Sequence, residues 1–272
     1  MQTADSAAKP EATAQGPVPS SAAPISETPV APLAPDDVIV LENVGKHYQM
    51  GEVDIAALDD VELRIPRGEF VAIVGPSGSG KTTLLNLLGG IDSPTHGRIV
   101  VDGIDISDFS QHELTHFRRE KVGFIFQFFN LIPTLTAEEN VRYATELAAR
   151  DGHPPEADAA TLLRSVGLGE RLKHFPSQLS GGEQQRVAVA RALAKDPAVI
   201  LGDEPTGNLD FRTGKLVLGA MRDINREGKT VIIVTHNAPL ARVADRILHL
   251  RDGHIVEQEL VAEPIAPEDV VW

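Results

Sequence analysis

The chain has 272 residues, 42% of them hydrophobic, which is enough for one large domain with a sizeable core. Cysteine is absent, which excludes disulfides, cysteine-ligated zinc and thiol catalysis and fits a reducing compartment. A formal net charge of -14 repels phosphate backbones and no basic run offsets it, so nucleic acid is not an expected partner. No apolar stretch reaches the roughly 18 residues that a bilayer span needs, and the N-terminus lacks the basic start and apolar core of a signal peptide. The expected placement is cytoplasmic.

Residues 1–36 hold seven prolines, nine alanines and no aromatic residue, a composition that cannot build a core and reads as a disordered extension. From Val38 the pattern changes. VIVLENV and VELRI alternate apolar with polar residues, as half-buried antiparallel strands do. Tyr48, one of only two tyrosines, falls in the connection between them. It precedes the next motif by a strand and a turn, where a ring could stack on a base or serve as a surface or packing residue.

Phe70 to Thr83, FVAIVGPSGSGKTT, reads as a fully apolar strand, a glycine-rich turn and a helix start. Gly75, Gly80, Lys81 and Thr82 match the spacing G-x-x-x-x-G-K-[ST] of a phosphate-binding loop. Small residues let such a turn aim its backbone N–H groups inward at the positive end of the following helix. Lys81 would then reach the β- and γ-phosphates, and the Thr82 hydroxyl would ligate magnesium. GRIVVDGIDI follows as strand, Asp-Gly turn and strand.

Lys121 to Gln127, KVGFIFQ, is a second buried strand. Gln127 falls at the sheet edge where ligands bind in open α/β folds, and either contacts magnesium or the attacking water or merely closes the strand. Phe128, Phe129, Leu131, Ile132 and Leu135 form an apolar loop, part of which reads as a contact surface. The chain then turns helical, with a capping box at Thr136 and Glu139, and an insert over about 128–190 reads as a helical subdomain. Ser180, Gly181 and Gly182 stand directly before a helix, either as an ordinary cap or as an anion-binding end. Lying in the insert, they cannot easily reach the phosphate held by their own loop, but they could reach one held by another copy.

AVILGDE is a third buried strand, ending in two carboxylates. Asp203 at its tip suits a magnesium ligand, and Glu204 suits the base that polarises water; paired acids in this place are otherwise helix caps. TVIIVTH is a fourth, delivering His236 to the same edge as Asp203 and Gln127. RILHL and HIVEQ flank another Asp-Gly turn as a hairpin, and an acidic, frayed tail is expected from 259 to 272.

With the phosphate loop, Gln127, LSGGE at 179–183, ILGDE at 200–204, GNLD at 207–210 and His236 in this order, residues 38–258 resemble the ATP-binding subunits of ABC transporters. LSGGEQQRVAVARAL is specific to that superfamily. Gly202 stands where a larger residue is frequent, adjoining Asp203 without replacing it. GPSGSGKTTLLNLLGGID, FQFFNLIPTLTAEENV and DEPTGNLD are similar to the subgroup serving macrolide exporters, lipoprotein-release complexes and the cell-division ATPase. The resemblance implies an α/β P-loop NTPase core with a mostly parallel sheet, an N-terminal antiparallel β layer and the helical subdomain, together spanning 37–258. It implies ATP and Mg2+ as cofactors, carried by Gly75, Pro76, Ser77, Gly78, Ser79, Gly80, Lys81, Thr82 and Thr83, with Tyr48 stacked on adenine. Thr82, Gln127 and Asp203 would hold the metal, Gln127 would also sense the membrane partner, Glu204 would be the general base, and His236 would contact the γ-phosphate. It further implies a head-to-tail homodimer in which Ser180, Gly181, Gly182 and Asp210 of one copy complete the site of the other. The partner would be an integral membrane permease, which would hold the chain at the cytoplasmic face of the cell membrane. Export, by macrolide efflux or lipoprotein release, is the expected direction; the alternative is a signalling or cell-division complex that transports nothing.

Overall fold

The computed structural model describes residues 36–51, 53–149 and 158–271. The alanine- and proline-rich extension expected over 1–36 lies, but for its last residue, outside the described residues. The short apolar runs form strands β3 (Phe70–Val74), β6 (Val122–Phe126), β7 (Val199–Asp203) and β8 (Thr230–Val234). Together with β9 (Arg246–Arg251) and β10 (His254–Leu260) they make one sheet of order β10-β9-β3-β8-β7-β6. Every neighbouring pair is parallel except the β9–β10 hairpin. A parallel sheet is covered on both faces, which is why these strands read as continuous apolar runs and not as alternating ones.

A second, antiparallel sheet has the order β2-β1-β4-β5, from β1 (Asp37–Met50), β2 (Val53–Pro66), β4 (His96–Val101) and β5 (Ile104–Asp105). The connection between the first two alternating runs is itself strand. The β1–β2 ladder runs on from Lys46↔Leu58 to Met50↔Val53, which satisfies backbone groups that a loop would leave to solvent, and so Tyr48 is a strand residue. Both Asp-Gly turns take positive φ at each residue, 50° and 75° at Asp102 and Gly103, 48° and 81° at Asp252 and Gly253. That is the hairpin geometry whose twist matches the flanking strands.

Strand alternation divides the core into two. Val71 and Ile73 of β3 join Ile39 and Ile99 of the antiparallel sheet around the leucines of α1 (Lys81–Leu88). Phe70, Ala72 and Val74 point the other way, into a cluster with α3 (Ala137–Ala149), α4 (Ala159–Ser165), α5 (Gly181–Leu193) and α6 (Phe211–Arg226). Each fully buried leucine contributes about 1.5–3 kcal/mol. Helix α2 (Gln111–Lys121) was not foreseen, and it takes Lys121 from the expected β6; only Leu114 and Phe117 of its residues are buried, too few to mark a period. Its start is legible in retrospect, since Ser110 and Glu113 form a capping box.

Two of the helices of the insert start on the same device. Thr136 donates to Glu139 Oε2 at 2.8 Å while the Glu139 amide donates back to its hydroxyl. At α5 the amide and hydroxyl of Ser180 both donate to Glu183 Oε2 at 2.8 Å, and Arg171 Nε donates to the other oxygen at 2.9 Å. The Arg171 guanidinium and the Ser180 amide hold the Glu183 carboxyl down at about 2.

The segment after β10 is not frayed. Val261 N donates to Asp245 O at 2.8 Å, Ile265 N to Arg242 O at 2.9 Å, and Lys215 Nζ to Glu268 O at 2.6 Å. Val261 and Val270 lie in the helical-face core, Val270 at 1% exposure. Four carboxylates in 14 residues hid two apolar anchors from the composition.

Val270→Ala is expected to lower stability by about 1–2 kcal/mol, read as a shifted urea midpoint; an unchanged midpoint would mean that the segment is undocked in solution. Because the Glu183 carboxyl is depressed in the fold, its contribution is full above pH 4.5 and is lost as pH falls toward about 2. The stability gap between wild type and Glu183→Gln should therefore close over that window, and a gap independent of pH would refute the assignment.

Candidate functional site

The loop between β3 and α1 is held too tightly for side chains at two of its glycines. Gly80, at the N-cap of α1, has φ 102°, and a Cβ there would stand 2.4 Å from the Ala57 carbonyl oxygen. A Cβ on Gly75 would stand 2.1 Å from the Leu250 carbonyl oxygen. The Gly253 amide donates to Ser79 O at 3.1 Å, so the loop is bound on one side by β2 and on the other by the β9–β10 turn. Lys81, only 9% exposed, bridges it from within, donating to Gly75 O at 2.9 Å and Pro76 O at 2.7 Å. The Ser79 hydroxyl is buried with no partner among the described residues. Ser77, Gly78 and the run from Gly80 to Thr83 line a cavity of about 390 Å3 with Ala57, Glu204, Val234 and His236. Amides at a helix N-terminus, a buried ammonium and a buried hydroxyl without a partner fit a polyphosphate.

Parallel register brings the other strand ends to this edge. Phe126 pairs with Asp203 and Asp203 with Val234, so Gln127, Glu204 and Thr235 all leave their strands at one level. Thr82 Oγ1 donates to Asp203 Oδ1 at 3.4 Å. Burial, and then the neighbouring Glu204, push the Asp203 carboxyl above its ordinary value. A hydroxyl and a half-buried carboxylate with destabilised charge fit a hard divalent cation, which would offset both costs.

Glu204 occupies the left-handed region at φ 47°, a conformation that costs a non-glycine residue about 1–3 kcal/mol and gathers at active sites. Its amide donates to Val234 O at 3.0 Å and its carboxylate meets His236 Nδ1 at 2.9 Å. The strain aims the carboxylate into the cavity, where the exposed imidazole steadies it.

Other expected site residues stand apart. Gln127 does not line the cavity; its Nε2 donates to Asn208 Oδ1 at 3.4 Å and Asn208 Nδ2 donates to Gln127 O at 3.1 Å. Tyr48 does not line the cavity. Its hydroxyl donates to Asp92 Oδ2 at 2.8 Å, Lys46 Nζ lies 4.9 Å from the ring centre, and burial followed by Asp92 pushes the phenol up. Ser180, Gly181 and Gly182 do not line the cavity either: a Cβ on Gly182 would stand 1.8 Å from Thr213 Cγ2, so this helix end packs on α6. Asp210 caps α6, accepting from Thr213 N at 3.2 Å. Sequence reasoning missed Ala57, Asp92 and Asn208; of these Asp92, at the end of GPSGSGKTTLLNLLGGID, and Asn208, inside GNLD, lay in quoted motifs.

A family model described as ABC transporter matches residues 58–207. An uncharacterised ABC transporter ATP-binding protein of Methanocaldococcus jannaschii, MJ0796, is 49% identical over 227 residues, 82% of this chain and 97% of its own length. A macrolide export ATP-binding/permease protein, MacB, of Rhodopirellula baltica is 48% identical over 224 residues, 81% of this chain but 33% of its own. In three dimensions the fold matches a dimeric, post-hydrolysis structure of the cassette MJ0796 bound to ADP and Pi, with a TM-score of 0.74 and 44% identity over 83% of this chain and 99% of that one. The likeness thus runs along nearly the whole length of such cassettes, and the chain belongs to the ABC transporter family as an ATP-binding protein.

Proposed function

We propose that the chain is a magnesium-dependent ATPase that works as a head-to-tail pair and drives a separate membrane permease. The observation that carries this reading is Glu204, strained toward the phosphate-loop cavity and hydrogen-bonded to His236. In that reading Lys81 turns from the loop carbonyls to the β- and γ-phosphates, and the loop amides hold the rest of the triphosphate. Glu204 accepts the proton of the attacking water, and His236 steadies the carboxylate and contacts the γ-phosphate. Thr82 and Asp203 would hold Mg2+, with Gln127 a further ligand if released from Asn208; the ion would supply charge neutralisation. The exposed ring face of Tyr48 stacks on adenine.

Ser180, Gly181, Gly182 and Asp210 act on the ATP of a second copy. Their seat on α6, away from the cavity of their own chain, supports this, as does the dimeric form of the MJ0796 cassette. The surface expected around Phe128 resolves into two parts. Leu131 packs on the core, whereas Phe128 is 73% exposed and Ile132 joins Phe124, Phe126, Tyr143 and Leu147 in the wall of a groove of about 560 Å3. This groove is the proposed seat of the permease, which would place the chain at the cytoplasmic face of a membrane. The MacB relatives, named for macrolide export and carrying ATP-binding and permease functions together, support an export system.

Glu204→Gln should keep ATP binding, lower turnover at least ~100-fold and accumulate an ATP-bound dimer on a sizing column. A monomer with undiminished turnover would overturn the role. Lys81→Ala should weaken ATP binding at least ~10-fold, measured by calorimetry, since it removes a charge-assisted contact of about 1.5–3 kcal/mol. Unchanged affinity would show that the phosphates sit elsewhere.

A further inference from the structure

The groove walled by Phe126 and Ile132 has an electrostatic character that apolar contact does not explain. Arg118 and Arg119 of α2, Arg191 of α5 and the following Lys195 line it, and no Asp or Glu does so among the described residues. The chain as a whole has 39 acidic residues against 25 basic ones, so this segregation runs against its composition.

Three of these cations meet neutral acceptors only. Lys195 Nζ donates to Arg118 O at 2.7 Å. Arg191 donates to Phe129 O at 2.8 Å and to Asn130 O. Arg118 donates to Thr115 Oγ1 at 2.9 Å and to Gly90 O. None forms an ion pair with a described carboxylate, although burial weighs on two of them. Burial, with Arg118 and Arg191 adding to it, pushes Lys195 down to about 8, and burial also lowers Arg191. Half-buried cations beside apolar walls are costly until an opposite charge arrives.

We infer that the permease segment seated in this groove is amphipathic and presents a carboxylate to Lys195, Arg118 and Arg191. The inference rests on the reading of the groove as the permease contact. Phe124, Phe126, Ile132, Tyr143 and Leu147 would take the apolar side chains of that segment, and the cations would fix its register. A wholly apolar segment would leave the cations desolvated and unpaired, and a basic one would be repelled.

Lys195 is the residue to test, because its amine can be coupled covalently to a carboxylate and the guanidinium groups of Arg118 and Arg191 cannot. The full chain is captured with its membrane partner from detergent-solubilised membranes and treated with a zero-length carbodiimide, which couples an amine only to a carboxylate in contact with it. The expected result, read by mass spectrometry, is an amide between Lys195 and an Asp or Glu of the captured membrane protein. That amide should vanish in Lys195→Arg while capture persists. Lys195→Glu should weaken capture at least ~10-fold, with an unchanged thermal midpoint showing that the variant folds. An intact complex without the Lys195 cross-link, or undiminished capture by Lys195→Glu, overturns the inference and leaves the permease contact standing. Failure of the wild-type chain to capture any membrane protein overturns the permease reading itself, and this inference with it.

Discussion

The register of the parallel strands is the constraint on which the rest depends. Ile73, Val234, Asp203 and Phe126 stand in one row across β3, β8, β7 and β6. Parallel strands put their C-terminal ends on one edge, so the turn after each is delivered to the same place without any contact between the turns themselves. The phosphate loop, Glu204 and His236 meet, with Gln127 leaving its strand at the same level, because four short apolar runs are buried to the same depth. Hydrophobic burial, a non-directional force, thereby sets positions that catalysis needs to within a few tenths of an ångström. Directional interactions then refine the edge: the hydrogen bond from Glu204 N to Val234 O locks the strained turn to the strand beside it.

Electrostatics follow a different logic from the overall charge. An acidic chain holds its phosphate site by amides, one ammonium and the end of a helix, all local. Its carboxylates are largely spent in holding structure, as Glu183, Glu139 and Glu113 do at helix starts and Asp92 does at Tyr48. Asp203 differs from these: it is half buried, and its hydrogen-bond partner among the described residues is the Thr82 hydroxyl, not a basic group.

Much of this was legible before the fold was known, for reasons that differ by element. β3, β7 and β8 were plain because burial on both faces leaves only apolar residues, and the hairpin turns were plain because Asp-Gly meets a demand for positive φ. Helix α2 was not, since an exposed helix buries one narrow stripe and Leu114 and Phe117 alone do not make a period. The C-terminal segment misled because charge is an average, whereas docking needs only Val261 and Val270. At the site, the identity of Asp203, Glu204 and His236 could be read from strand ends. The pairing of Gln127 with Asn208 could not, because it joins turns 81 residues apart and neither residue's motif names the other as its partner.

The tight seating of the phosphate loop has a thermodynamic consequence. With the Ala57 and Leu250 carbonyls against its glycines and Gly253 bonded to Ser79, the loop cannot change shape without disturbing two sheets. Flexible phosphate clamps lose entropy when they close on an anion; this one has lost it already, during folding. Anion binding then carries little cost of ordering the loop backbone, and the rearrangement it asks for falls on the Lys81 side chain.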